Sequence, residues 1–292
     1  MSNRSQRHPN LRTILLFAIL FAFAVSAHSE LVKLQMRNQL EATAELLQGR
    51  EEGKVLLVLH GFLQTRGFFT VHQLAEALHD MGHTVLLPNL TLGINHRRQS
   101  LACEAIHTHS VEQDREEIAL WIDWLHHHSG KPVRLIGHSQ GCVMGLAYLA
   151  NNSQALVEQA IFISLLAFAQ GPVAKETPED LRLAARQMES RDHALTKYRL
   201  AFCDEYVTSP EKYLSYVKWN SDMVLQALKT SPVKPLIILG GNDRRLGDGW
   251  KARLSRSGTE VIEIAGANHF FDHEYEFDLV DTIGELLQRP PL

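Results

Sequence analysis

Basic charge is not in excess in this chain. Its 29 Lys and Arg stand against 33 Asp and Glu, a formal net charge of −4, and the basic residues are scattered rather than striped. That leaves no electrostatic footprint for a nucleic acid, and none is expected as a partner. Cysteine is scarce: Cys103, Cys142 and Cys203 are the only three in 292 residues, an odd number. A chain of this length buries a substantial core without staples. Internal repeats and low-complexity tracts are absent, and 45% apolar with 21% charged residues is globular usage. Long hydrophobic runs are also missing. The apolar run from Ile14 to Val25 would span about 18 Å as a helix at ~1.5 Å per residue, short of a ~30 Å hydrocarbon core. Arg4, Arg7 and Arg12 precede it, and Val25-Ser26-Ala27 followed by His28-Ser29-Glu30 closes it. A positive end, a short apolar middle and small residues at the exit describe a secretory signal peptide over residues 1–27, cleaved near Ala27. The expectation is a periplasmic or secreted protein with no stable membrane insertion after cleavage. An uncleaved anchor is the rival reading, and no cysteine stands at the exit to carry a lipid.

Beyond this segment, apolar runs of strand length alternate with longer helical stretches, the pattern of a mainly parallel sheet flanked by helices. The strand candidates are Val55 to Phe62, Thr84 to Leu90, Val133 to Ser139, Ala160 to Leu166, Pro235 to Gly241 and Glu260 to Gly266. Helices are expected near Phe69–Met81, Val111–His127 and Tyr275–Leu287, where apolar residues recur at helical spacing. The interval Gly171–Ser231 contains no strand-like run, only charged helical segments. A loop of that length without structure is improbable in a compact domain, so residues 171–231 are expected to form a helical cap. The core then comprises residues 28–170 and 232–292.

The stretch "VRLIGHSQGCVMG" carries the chemistry. Ser139 stands between Gly137 and Gly141 where an apolar strand turns into a helix of small residues. At such a turn the neighbours two positions away crowd the apex unless they lack a Cβ. The pattern alone also describes a tight turn of no chemical interest. A serine hydroxyl is nearly inert at neutral pH and needs a general base, which itself needs an orienting acid. Among the sixteen histidines, His126, His127 and His128 close a helix, and His107 and His109 lack an obvious third metal ligand. His269, in "AGANHFF", lies just past the last strand. Asp243, in "LGGNDRRL", lies just past the strand before it; Asp248 and Asp272 are rival acids. Ser139, Asp243 and His269 thus all fall at the carboxyl edge of the sheet, where open α/β sheets bind ligands.

From about Val55 to Leu287 the chain resembles the α/β-hydrolase superfamily, on the elbow Gly-His-Ser-Gln-Gly and the order Ser139, Asp243, His269. The resemblance implies an α/β-hydrolase fold with the cap inserted before the acid-bearing strand. It also implies an oxyanion hole made by the backbone N–H groups of Phe62, in "LHGFLQT", and Gln140. The activity it implies is a serine hydrolase acting on a small-molecule or lipid ester, or a thioester, without metal or organic cofactor. An acyltransferase using the same triad and a non-catalytic envelope protein are the alternatives. The long connection Asn89–Ser110 leaves the sheet at the same edge, and Arg97 and Arg98 in it either recognise an acidic group or are solvated. Cys142 is expected as a small buried hydrophobe. Cys103 and Cys203 either bridge the loop to the cap or remain free.

Overall fold

The computed structural model describes residues 29–37, 39–152 and 156–290; the signal peptide expected over residues 1–27 lies outside them. Ten strands are found among the described residues: β1 (Ser29–Gln35), β2 (Glu41–Leu47), β3 (Val55–Leu59), β4 (Thr84–Asn89), β5 (Val133–His138), β6 (Val157–Ile163), β7 (Thr196–Leu200), β8 (Cys203–Thr208), β9 (Leu236–Gly240) and β10 (Val261–Ile264). Eight form one sheet in the order β1-β2-β4-β3-β5-β6-β9-β10, and β7 and β8 pair apart from it. From β4 to β10 every pairing is parallel, while β2 joins β1 and β4 antiparallel.

The continuous apolar runs have a plain cause: the central strands are covered on both faces. Along β3, Val55, Leu57 and Leu59 enter one core layer and Leu56 and Val58 the other. Helices α1 (Phe69–Asp80) and α8 (Tyr275–Gln288) supply the second layer. The first is built by α2 (Val111–Ser129) and α3 (Gln140–Asn151), with the cap helices above them. Helix α2 starts where the Ser110 side chain accepts from the Gln113 N–H, and ends at Gly130 in the left-handed region. No helix among the described residues is long and apolar enough to cross a membrane.

Two parts of the sheet have no counterpart in the sequence reading. Strand β2, "EATAELL", is composed of residues that favour helices, and its pairing on both sides decides its state. Strand β1 is exposed at most positions and so lacks an apolar stripe to read.

The inserted segment 171–231 also needs a correction, because it is not free of strands. Helices α4 (Pro178–Ser190), α5 (Pro210–Val217) and α6 (Ser221–Thr230) are joined there by the β7–β8 hairpin. The helical run breaks at Arg191, which sits at φ 57°. Beyond it, Tyr198, Leu200, Tyr206 and Thr208 turn inward while Lys197, Arg199 and Glu205 face out. Such short period-two runs, masked by charge, are legible only once the two strands pair.

A disulfide joins Cys103 to Cys203 across 100 residues of chain, tying the connection 89–110 to the hairpin. The backbone reinforces that tie: the His107 N–H donates to the Val207 carbonyl at 2.8 Å. Cys142 is a free, buried thiol. Arg97 does not face a ligand; it is buried, its Nε donating to the Leu90 carbonyl at 2.7 Å and its Nη1 to that of Gln99 at 2.9 Å. Arg98 is exposed. His107 stacks on Tyr206 with ring centroids 3.9 Å apart, and no cluster of three potential metal ligands exists among the described residues.

Candidate active site

The chain leaves β3 and then visits β4 on one side and β5 on the other, which opens a crevice at the carboxyl ends of these strands. Ser139 stands there with φ 55° and ψ −120°, a conformation sparsely used by residues with a side chain. The two glycines make it possible. A Cβ on Gly137 would lie 2.8 Å from the carbonyl carbon of Gly141, and one on Gly141 would lie 2.7 Å from the His60 carbonyl oxygen. Both obstacles are backbone and cannot swing away. The Ser139 N–H donates to the Ile163 carbonyl at 2.8 Å, holding the turn against β6.

Asp243 and His269 come from the turns after β9 and β10, which are knitted by the Asn242 N–H donating to the Ala267 carbonyl at 2.8 Å. Asp243 Oδ2 lies 2.7 Å from His269 Nδ1, and His269 Nε2 lies 2.9 Å from Ser139 Oγ. Because a carboxylate only accepts, the imidazole carries its hydrogen on Nδ1 and offers Nε2 to the serine. The other Asp243 oxygen accepts from the Arg245 N–H at 2.9 Å. The rival acids stand apart from this chain: Asp248 is exposed and Asp272 accepts from Asn268 Nδ2.

Phe62 and Gln140 flank the serine. The loop carrying Phe62 abuts the elbow, since a Cβ on Gly61 would sit 3.4 Å from the Ser139 Cβ. Gln140 opens α3, so its N–H belongs to the unsatisfied first turn, at the positive end of the helix dipole. Among the described residues, neither the Phe62 nor the Gln140 N–H donates a hydrogen bond. Cap aromatics hold Phe62 in place: its ring stacks on Tyr206 at 5.9 Å and meets Phe202 edge-on at 5.7 Å.

Two supporting residues were missed from sequence. The His269 carbonyl accepts from His138 Nε2 at 3.0 Å and from Ser164 Oγ at 2.9 Å, which fixes the backbone of the general-base candidate. His138 had a signal, since it precedes the elbow serine on a strand and must turn beneath the site. Ser164 had none.

Burial pulls the His138 imidazole from its ordinary 6.5 down to about 3, with the neighbouring His269 adding to the effect. His60, on the loop before Phe62, falls to about 3 through burial and then through the charge of Arg97. Unfolding restores the ordinary value, so between pH 6.5 and 3 the unfolded chain binds more protons and stability is lost as pH falls. Burial raises Glu117 from 4.5 to about 7, which opposes this between pH 4.5 and 7 because the folded state then holds the extra proton. Down to pH 4.5 these two imidazoles, joined by His107, which burial lowers to about 4, act against Glu117, and below it that carboxyl no longer opposes them. Thermal unfolding across a pH series should show a midpoint that falls below pH 6.5 and falls more steeply below 4.5. A midpoint flat from pH 6.5 to 4 would contradict neutral, buried His60 and His138.

A cleft opens above Ser139 between the loop carrying Phe62, the residues after β6 and the cap. Phe62, Leu166, Phe168, Val173 and Phe202 give it an apolar lining beside Ser139 and His269.

A family model described as the alpha/beta hydrolase family matches residues 55–281. No curated protein sequence matches the chain. Among solved structures, the alpha/beta hydrolase GrgF from Penicillium sp. sh18 is similar at 16% identity and a TM-score of 0.66, covering 89% of this chain and 96% of its own. Est1E from Butyrivibrio proteoclasticus, with ferulic acid bound, is similar at 15% identity and 0.64, covering 88% and 97%. The thioesterase domain from the curacin biosynthetic pathway is similar at 15% identity and 0.60, covering 89% and 99%. At these identities the likeness is one of fold.

Proposed function

This chain belongs to the alpha/beta hydrolase family, and from that premise we propose that it is a serine hydrolase cleaving a carboxylic ester or thioester through an acyl-enzyme on Ser139. The observation that carries the proposal is the unbroken hydrogen-bonded chain from Asp243 through His269 to Ser139, opening on an apolar cleft. Ser139 Oγ attacks the carbonyl carbon as His269 Nε2 takes its proton, and the carbonyl oxygen becomes an oxyanion held by the Phe62 and Gln140 N–H groups. Collapse of that adduct breaks the bond to the leaving alcohol or thiol, which receives the proton from His269. A water then repeats the sequence on the acyl-enzyme, releasing the carboxylic acid and restoring Ser139. Asp243 holds the imidazole tautomer and offsets the imidazolium charge. The resemblance to an esterase and a thioesterase domain supports an acyl substrate of either kind.

The same reading puts the enzyme in the periplasm or outside the cell. The apolar run Ile14–Val25 supports it, as does the Cys103–Cys203 disulfide, which persists in oxidising compartments.

A fluorophosphonate probe tests the chemistry directly. It should label the intact protein stoichiometrically on the peptide containing Ser139, and aryl ester hydrolysis should stop in proportion. Hydrolysis that survives complete labelling, or labelling at another residue, would overturn the proposal.

A further inference from the structure

One charge in the cleft has no part in the chain from Asp243 to Ser139. Arg245 is the sole Lys, Arg, Asp or Glu among the described residues lining it. Its backbone is pinned two residues past the acid, through the N–H given to Asp243. Its guanidinium lies over the Phe270 ring, 4.7 Å from the centroid. That stacking uses the face of the group and leaves its N–H donors, which lie in its plane, free to turn toward the cleft. Among the described residues no carboxylate reaches it within ion-pair distance, and its side chain donates no hydrogen bond. Several exposed cations of the cap are matched, Lys197 with Glu205, Arg182 with Glu179 and Lys218 with Glu112. The exposed ones without an ion pair among the described residues, such as Arg186, Arg191 and Lys229, do not line the cleft.

The position of Arg245 also says which half of a substrate it would meet. Phe270 stands edge-on to His269, with centroids 5.1 Å apart, so Arg245 borders the His269 side of the cleft. The leaving alcohol must lie on that side, because His269 Nε2 hands it the proton. Resting on the ester-hydrolase reading, we propose that the substrate is an ester whose alcohol half carries an anionic group, a carboxylate or its equivalent, bound by Arg245. The apolar cleft lined by Phe62, Phe168 and Phe202 then takes the acyl half. The role sought in Arg97 from the sequence falls instead to an arginine on the acid-bearing turn.

Matched esters test this. In 3-carboxyphenyl butanoate and 3-(methoxycarbonyl)phenyl butanoate the leaving phenol differs in charge, and comparing enzyme variants cancels the difference in intrinsic reactivity. The kcat/KM ratio of charged to neutral ester should fall about tenfold in Arg245→Gln, the scale of one charge-assisted contact at a partly exposed site, and Arg245→Lys should recover part of it. The preference should weaken as salt is raised. Equal losses on both esters would reduce Arg245 to a packing role, and an unchanged ratio would overturn the inference. Monophenyl succinate against methyl phenyl succinate moves the charge to the acyl half; a ratio that responds there and not in the first pair would overturn the assignment to the alcohol. Calorimetric titration of 3-carboxyphenyl butanoate into Ser139→Ala, with and without Arg245→Gln, decides the question without turnover: binding equally tight in both would sink it. An enzyme inert to every ester and to fluorophosphonate defeats the hydrolase reading, while this titration still judges Arg245 separately.

Discussion

Ser139→Ala should lose about 10⁶-fold in kcat toward an aryl ester, the scale seen when another serine hydrolase loses its nucleophile. The arithmetic is that of a pathway removed: without Oγ no acyl-enzyme forms, and His269 has no hydroxyl to deprotonate. About 10³-fold catalysis over water should remain, from oxyanion stabilisation and substrate binding. The fold should survive. The change deletes one half-buried oxygen and a single hydrogen bond to His269, worth about 1 kcal/mol, and alanine occupies the same backbone conformation as serine. Parental rates in this variant, with an unchanged unfolding midpoint, would show that the nucleophile lies elsewhere.

Asp243→Asn should cost about 10⁴-fold, the loss that the same change causes in another triad enzyme. Here the structure supplies the reason. Both Asp243 oxygens accept, one from His269 Nδ1 and one from the Arg245 N–H. An amide has a single acceptor oxygen. If that oxygen stays on the Arg245 N–H, the amide NH2 faces Nδ1 and drives the proton to Nε2, where it can no longer receive one from Ser139. If the amide turns over, its NH2 is forced against the Arg245 N–H in a buried site. Either outcome disables the base at little cost in volume. Asp248→Asn and Asp272→Asn should stay near parental rates, since neither carboxylate reaches His269. A collapse in one of those with normal rates for Asp243→Asn would reassign the acid.

The elbow was legible because its cause is local. A strand-to-helix turn admits a serine at its apex only when the residues two positions away lack a Cβ, and the 2.7–2.8 Å approaches at Gly137 and Gly141 are that condition in atoms. The positions of Asp243 and His269 were legible for a related reason. Strand β9 is buried throughout and appears as an unbroken apolar run. Edge strand β10 is a short β-branched run broken only by exposed Glu263, and the polar turn after each lies at the sheet edge. Phe62 and Gln140 follow their strands in the same way, which put both beside Ser139.

By itself, then, the chain determined the central strands, the helices between them, the elbow and the ordering of the three polar residues at one edge. Each depends on periodicity or on sterics within a few residues. Tertiary structure decided what depends on distant partners. Strand β2 has a helix-forming composition and is a strand because β1 and β4 pair with it. The cap hairpin exists because Tyr198 and Tyr206 share a buried face. Ser164 supports His269 from 105 residues away, and Cys103 finds Cys203 across 100. Arg97 turned inward because the carbonyls of Leu90 and Gln99 surround it, whereas Arg245 kept its charge for the cleft because the face of Phe270 holds it without neutralising it. Which of two arginines lines the cleft is a question of packing, and no local pattern encodes it.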